Sequence, residues 1–352
     1  MISLVVSDLH LGGREGSEVV RAGSAALDAL LAALDGVDRL VLLGDALELR
    51  HGPAREALAS ARPVLTEIGR HVDEVVMVPG NHDHALIGAW LEREGRDVPP
   101  ALALEHRILP AQASWIAVSV AEWLGEGLTV AYPGIWLRDD VYAHHGHYLD
   151  LHTTVPTFER LAAGLSARIS GPIPPRATAA DYEARLAPIY GWMDATATWA
   201  APGGDPAGRG AAAARAYHAM TGGDGGRVHR IRSRALGLGF PVAVGVVNRL
   251  GLGPVRADLS GTALREGMLG AMNEVVTRLD VGARHVLFGH SHRAGPLPGD
   301  DRAQWGRLMN TGSWVAGHGP SEAGRANPYA PGHAIRVDDA GGDPQLVRLL
   351  EG

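Results

Sequence analysis

The chain has 352 residues, a hydrophobic content of 46% and a net charge of −7, enough apolar material for a sizeable core and an unfavourable balance for a general nucleic-acid binder. It contains no cysteine, which excludes a disulfide framework, thiolate metal ligation and cysteine-based phosphate chemistry. Lysine is also absent, so every long basic side chain is arginine.

In chain order, Ile2 to Ser7 reads as a strand, and apolar positions at helical spacing (Val20, Leu27, Leu30, Leu31, Leu34) predict a helix over 17–34, stopped by Gly36. Leu40 to Leu43 is a second strand. A helix follows over roughly 55–70, with Pro63 a threat to its continuity. Val75 to Val78 is a third strand, and Ala85 to Glu94 a helix. This alternation predicts parallel strands joined by helical crossovers. Short strands are expected at 115–120, 128–132 and 140–143, and again at 285–288, 307–309, 333–337 and 346–350, with Gly341-Gly342 turning between the last two. No apolar run approaches the ~18 residues of a membrane span. The chain opens directly on a strand without a leader-like stretch, so a cytoplasmic location is expected.

Polar words stand at five strand exits: Asp8-x-His10, Gly44-Asp45, Gly80-Asn81-His82-Asp83, His145-Gly146-His147 and Gly289-His290-Ser291-His292. In open α/β sheets, ligands bind beyond the carboxyl ends of strands. Oxygen and imidazole donors without thiolate suit Mn²⁺, with Fe or Zn²⁺ as alternatives. Period-2 alternation sends Asp8 and His10 to one side, and His290 and His292 likewise. His82 is placed off the metals, as the group that protonates or stabilises a leaving oxygen, with Asp83 orienting its ring. If His145 faces the site, alternation turns His144 to the opposite face of the strand as a structural residue. His147 is either an outer partner, together with Asp150, or a packing residue. Asn310 to Trp314 is either a phosphate-contacting turn or a strand-end turn anchored by Trp314.

The order of these five words resembles the calcineurin-like metallophosphoesterase superfamily, over residues 1–155 and 265–352. Within it, the chain looks most like the bacterial branch with the UDP-2,3-diacylglucosamine pyrophosphohydrolases. It departs from that branch in having His82 where arginine is typical and in a longer insertion. The resemblance implies a four-layer αββα sandwich of two mixed β-sheets, formed by 1–150 and 266–352. It implies two divalent metal ions: Asp8, His10, Asp45 and His292 on one, Asp45 (bridging), Asn81, His145 and His290 on the other. Hydrolysis of a phosphodiester or pyrophosphate bond in a lipid- or nucleotide-linked substrate, by a hydroxide bridging the metals, follows from that arrangement. A phosphomonoesterase and a non-catalytic scaffold on the same fold are the alternatives.

Residues 151–265 form a mainly helical insertion, with helices over 158–169 and 182–199 and a loop over 201–214. From Arg227 to Arg256 it carries six arginines, no acidic residue and an apolar run over 235–247. This is either a buried hairpin or a lid. As a lid, it would bind an amphiphilic phosphoester through Arg230, Arg232 and Arg234 and touch an anionic membrane surface.

Overall fold

The computed structural model describes residues 1–13, 18–94, 102–155, 171–186, 189–190, 248–249, 255–256, 258, 260–316 and 327–350. The expected helices over 158–169 and, from 191 on, 182–199 lie outside these residues. So do the loop over 201–214, the run over 235–247 and Arg227, Arg230, Arg232 and Arg234.

Three short strands carry the first half: β1 (Ile2–Val6), β2 (Arg39–Leu42) and β3 (Glu74–Met77), paired in parallel with Leu4 opposite Leu40 and Leu40 opposite Val75. Their side chains alternate between two apolar layers. Leu4, Val6, Leu40, Leu42, Val75 and Met77 face one way, into the crossover helices. Val5, Val41, Leu43, Val76 and Val78 face the other, against Ala143, Leu287, Met309 and Ile335. Strands apolar on both faces are what parallel, doubly covered strands require.

The helices on the first face are α1 (Ala25–Ala33), α2 (Ala54–Gly69) and α5 (Trp115–Leu124), with α3 (Gly88–Glu94) and the one-turn α4 (Pro110–Ala113) between them. Helix α1 starts later than its periodicity suggests. The hydroxyl of Ser24 accepts from the Leu27 N–H at 3.2 Å and so caps it, while residues 18–24 form a bridge and a turn. Pro63 stays inside an unbroken α2. The segment 115–120 is helix, not strand. Ser114 caps α5 through the Ala117 N–H, and Ile116, Ala117, Val120 and Leu124 bury one helical face. A six-residue apolar run suits either state, and the cap decides it.

Strand β5 (Leu128–Arg138) is longer than expected. Its first part pairs with β3 and with the antiparallel edge strand β4 (Glu105–Ile108), whose charged sequence Glu-His-Arg hid it. Its second part pairs with β6 (Val141–His144), followed in parallel by β7 (His285–Phe288) and β8 (Leu308–Asn310). β9 (His333–Asp338) and β10 (Gln345–Arg348) return antiparallel beside β1. Hydrogen bonding thus links ten strands in one mixed path, β10-β9-β1-β2-β3-β5-β6-β7-β8 with β4 beside β5, in an α/β fold. Helix α6 (Gly261–Arg278), unforeseen in the sequence, covers β6 and β7 together with Ile173, Tyr182, Leu186 and Tyr190. The short helix α7 (Arg302–Trp305) precedes β8. Among the described residues no helix is long and apolar enough to cross a membrane.

Candidate metal centre

The loops leaving β1, β2, β3, β6 and β7 are stitched to one another. The Asp8 N–H donates to the Gly44 carbonyl at 3.0 Å, His10 to the Asp45 carbonyl at 2.9 Å, and Gly289 to the His145 carbonyl at 2.8 Å. The convergence does not come from strand alternation. Asp8, His10, Asp45, His290 and His292 all lie past their strand ends with φ between 48° and 64°. Non-glycine residues enter this left-handed region at a cost of order 1–3 kcal/mol and persist there only when the surroundings over-determine them. Five of the six described non-glycine residues with positive φ are candidate ligands, so the strain is concentrated at this site.

Two glycines make room. A Cβ on Gly44, itself at φ 83°, would overlap the His145 ring, and one on Gly80 would meet Asp45 Oδ1 and lie 2.7 Å from His145 Nε2.

Three groups of donor atoms result: Asp8, His10 and His292; His10, Asp45 and His82; and Asp45, His145 and His290. Asp8 is fully buried. Its Oδ2 accepts from the Ser7 hydroxyl and from the His290 N–H, while its Oδ1 has no hydrogen-bond partner and lies 3.2 Å from His292 Nε2 and 4.0 Å from His10 Nε2. Asp45 is divided similarly. Oδ1 accepts from the His82 N–H at 2.8 Å, and Oδ2 faces His145 Nε2 at 3.3 Å and His10 Nε2 at 3.9 Å.

Three imidazoles are held from behind. His10 Nδ1 donates to Glu48 Oε2 at 3.0 Å, His145 Nδ1 to the Leu43 carbonyl at 2.9 Å, and His290 Nε2 to Asp150 at 3.1 Å. Each ring therefore turns its other nitrogen into the site, as outer partners of metal-bound histidines do. Asn81 Oδ1 sits among such atoms, 3.2 Å from His145 Nε2, 3.0 Å from His290 Nδ1 and 3.3 Å from Asp45 Oδ2. Rotated by 180°, the amide would donate to these three and accept from Arg50 Nη1 at 3.0 Å. A cation at the convergence point selects the orientation with oxygen inward, because it takes lone pairs and repels N–H. An orphaned buried carboxylate oxygen, three pre-oriented imidazoles and an inward amide oxygen fit divalent metal ions.

A divalent ion would have to displace protons from this donor set. Burial works against imidazolium, but Asp45 outweighs it and raises His145 to about 10; Glu48 and Asp45 raise His10 to about 9. Burial alone would raise Asp45 and Glu48, yet the surrounding histidines hold both carboxylates well below their ordinary range.

Glu48 is an outer partner that the sequence reading did not name, while Asp150 is one that it did. The His82 ring is oriented by Glu48, whose Oε2 lies 2.7 Å from His82 Nδ1, and not by Asp83. Asp83 is fully buried and accepts backbone N–H groups from Gly80 (2.6 Å), Ala46 (2.9 Å), Asp45 (3.3 Å) and Leu47 (3.3 Å), clamping the β2 and β3 loops together. Burial and the charge of Asp45 push its carboxyl up to about 6. Asp150 holds His290 at 3.1 Å. His147 is buried among aromatic rings, its Nε2 3.5 Å from the Tyr132 hydroxyl, so no face is open to a substrate. His144 is turned from the site and accepts from the Gly146 N–H at 2.8 Å; burial first, then His145, lowers it to about 3.

The Asn310 turn is a brace. The Asn310 amide donates to the Gly289 carbonyl (2.8 Å) and the Ser291 hydroxyl (2.9 Å), and the buried Trp314 donates its backbone N–H to the Asp8 carbonyl and its indole N–H to the His333 carbonyl, both at 3.0 Å.

This geometry accords with comparison to known proteins. Residues 1–168 match the calcineurin-like phosphoesterase family. The family is one of metal-dependent hydrolases that act on phosphate esters and carry a dimetal centre. The match ends before His290 and His292, which the fold alone joins to the matched segment. No curated protein matches the chain.

Proposed function

We propose that the chain is a dimetal hydrolase of a phosphodiester or pyrophosphate bond in a lipid- or nucleotide-linked substrate. One observation carries the reading: a single carboxylate oxygen, Asp45 Oδ2, faces both His10 and His145 and so belongs to two donor groups at once. Two cations a few ångströms apart repel, and a shared carboxylate offsets that repulsion. Asp8, His10, Asp45 and His292 would hold one ion, and Asp45, Asn81, His145 and His290 the other. Bound there, Mn²⁺ or a similar ion would polarise the phosphate oxygens and lower the pKa of a water shared by the pair. His82, partly exposed and fixed at Nδ1 by Glu48, would hand a proton from Nε2 to the departing oxygen. Its partner makes it an oriented acid, which a non-catalytic scaffold does not need.

The sheet supports a folded arrangement of two facing layers. One apolar cluster contains residues of β1, β2, β3 and β9 together with residues of β6, β7 and β8, while separate clusters join the outer faces to helices. Such packing supports a four-layer αββα reading of residues 1–150 and 266–352, with 151–265 inserted. The amphiphilic substrate and the membrane contact rest on Arg230, Arg232, Arg234 and the apolar run over 235–247. Flotation with anionic liposomes tests them, and a protein left in the soluble fraction removes both.

The decisive experiment loads the protein with Mn²⁺, measures metal content by elemental analysis, and compares turnover of mono-, di- and pyrophosphate esters. Two metals per chain with preference for a diester or pyrophosphate is the expected result. Preference for monoesters would favour the phosphomonoesterase alternative, and one metal or none would sink the assignment.

A further inference from the structure

We propose that Arg50 is the anion-recognition group of this site and that Tyr190, from the inserted region, positions it for a phosphate oxygen of the substrate. The inference rests on the phosphoester reading above and assigns a part of the site that the metal ligands and His82 do not supply.

Arg50 follows the β2 loop, five residues after Asp45. Its backbone N–H donates to Glu48 Oε1 at 3.0 Å, which ties its position to the carboxylate that orients His10 and His82. Its guanidinium is unusual. Nε and Nη2 are buried without a hydrogen-bond partner, and among the described residues no carboxylate forms an ion pair with it. Buried guanidinium N–H groups without an acceptor are costly, and such groups are ordinarily paired. Nη1 lies 3.0 Å from the outer atom of the Asn81 amide. With the amide oxygen turned inward toward the donor cluster, that outer atom is nitrogen. Two N–H donors then stand side by side with no acceptor between them, at the rim of the centre. An oxygen of a phosphate group would satisfy both, and the remaining edge of the planar guanidinium suits a second one.

Tyr190 accounts for the orientation. The Arg50 guanidinium carbon lies 5.0 Å above the centre of the Tyr190 ring. A cation over a ring face is held without using its N–H groups, so Tyr190 leaves the donors unsatisfied. The Tyr190 ring is itself fixed, 4.9 Å from the His84 ring and 5.8 Å from that of His147, and its hydroxyl is buried without a partner. The ring face, not the hydroxyl, is therefore the working part. Nearby Glu183, also from the insertion, anchors this segment by accepting from the Tyr132 hydroxyl and from the Tyr148 hydroxyl at 2.6 Å, with His84 Nε2 at 3.2 Å. Part of the insertion is thereby built into the wall of the site.

Inorganic phosphate, titrated by calorimetry into the Mn²⁺-loaded protein, tests the proposal alongside KM and kcat for a small aryl phosphate ester. Metal content and Tm are measured for every variant. Arg50→Met should weaken phosphate binding about 10- to 100-fold with metal content unchanged, the usual weight of charge-assisted hydrogen bonds. Arg50→Lys should recover only part, because an ammonium lacks the planar fork. Tyr190→Leu should weaken phosphate and raise KM about 2- to 30-fold, with a smaller change in kcat, while Tyr190→Phe should stay within about twofold of the parent. Phosphate affinity unchanged in Arg50→Met overturns the proposal, as does a Tyr190→Phe loss equal to that of Tyr190→Leu. Should Arg50→Met not fold, Arg50→Lys and the two Tyr190 variants decide the matter by the same readouts. A parent protein that binds phosphate through Arg50 yet hydrolyses no ester would sink the function and leave this inference standing.

Discussion

Glu48→Gln isolates the outer support of the site while keeping its volume. Glu48 Oε2 accepts from His82 Nδ1 at 2.7 Å and His10 Nδ1 at 3.0 Å, and Oε1 accepts from the Arg50 N–H at 3.0 Å. All three partners are donors, so an amide cannot satisfy them. With its oxygen toward the histidines, the NH₂ opposes the Arg50 N–H; with the oxygen toward Arg50, the NH₂ opposes both imidazoles. Either orientation loses at least one charge-assisted bond, worth about 1.5–3 kcal/mol. Losing the His10 anchor should weaken metal binding about 10- to 100-fold, as removal of outer-shell partners does. Losing the His82 anchor should slow esters with poor leaving groups more than activated ones, because only the former need the proton. The assay is metal competition with a chromogenic chelator, followed by kcat on an aryl and an alkyl ester at saturating Mn²⁺. Glu48→Gln with parental metal affinity and an unchanged ratio of the two rates would refute this account of Glu48.

His82→Ala should retain both metals by elemental analysis and lose about 10²-fold in turnover on unactivated esters, with the loss shrinking as the leaving-group pKa falls; equal losses on both ester types would contradict the role. Asp83→Ala removes the acceptor shared by four backbone N–H groups and should cost about 3–5 kcal/mol in chemical denaturation, from buried donors left unsatisfied at about 1–3 kcal/mol each. A cost below about 1 kcal/mol would mean the loops are held otherwise. Asp300 pairs with Arg293 at 3.1 Å and lies 3.7 Å from Arg265; burial raises its carboxyl, but Arg293, the Leu297 N–H and Arg265 outweigh it and lower it below 3.8. Its stabilisation is therefore present above 3.8 and lost as pH falls through the folded value. Asp300→Asn should be less stable than the parent by about 1–3 kcal/mol at pH 7, with the gap closing in acid; a pH-independent gap would contradict the pairing.

Much of the candidate site is legible in the chain because its components are local. Asp8, His10, Asp45, Asn81, His145, His290 and His292 fall in short words at strand exits, and the near-continuous apolar runs of β1, β2 and β3 suit parallel strands covered on both faces. Glycine beside ligand is a near-neighbour requirement, so Gly44 and Gly80 could be read in place. The left-handed backbone at Asp8, His10, Asp45, His290 and His292 could not, since nothing in those residue types demands it; the packing of five loops imposes it.

Which imidazole each outer carboxylate holds is likewise beyond local reading. Glu48 meets His10 and His82 across 38 and 34 residues, and Asp150 meets His290 across 140, only because β1, β2, β3, β6 and β7 end side by side. Asp83 stands next to His82 in sequence, yet its carboxylate is drawn to four backbone donors that strand order brings within reach. The segment 115–120 shows the same division at the level of secondary structure. Its apolar run suits strand or helix, and the Ser114 cap together with burial against α2 and β5 selects helix. Residue type and spacing determine which chemistry the chain can present. Which carboxylate holds which imidazole is decided by contacts between segments far apart in sequence, whose energies no local pattern encodes.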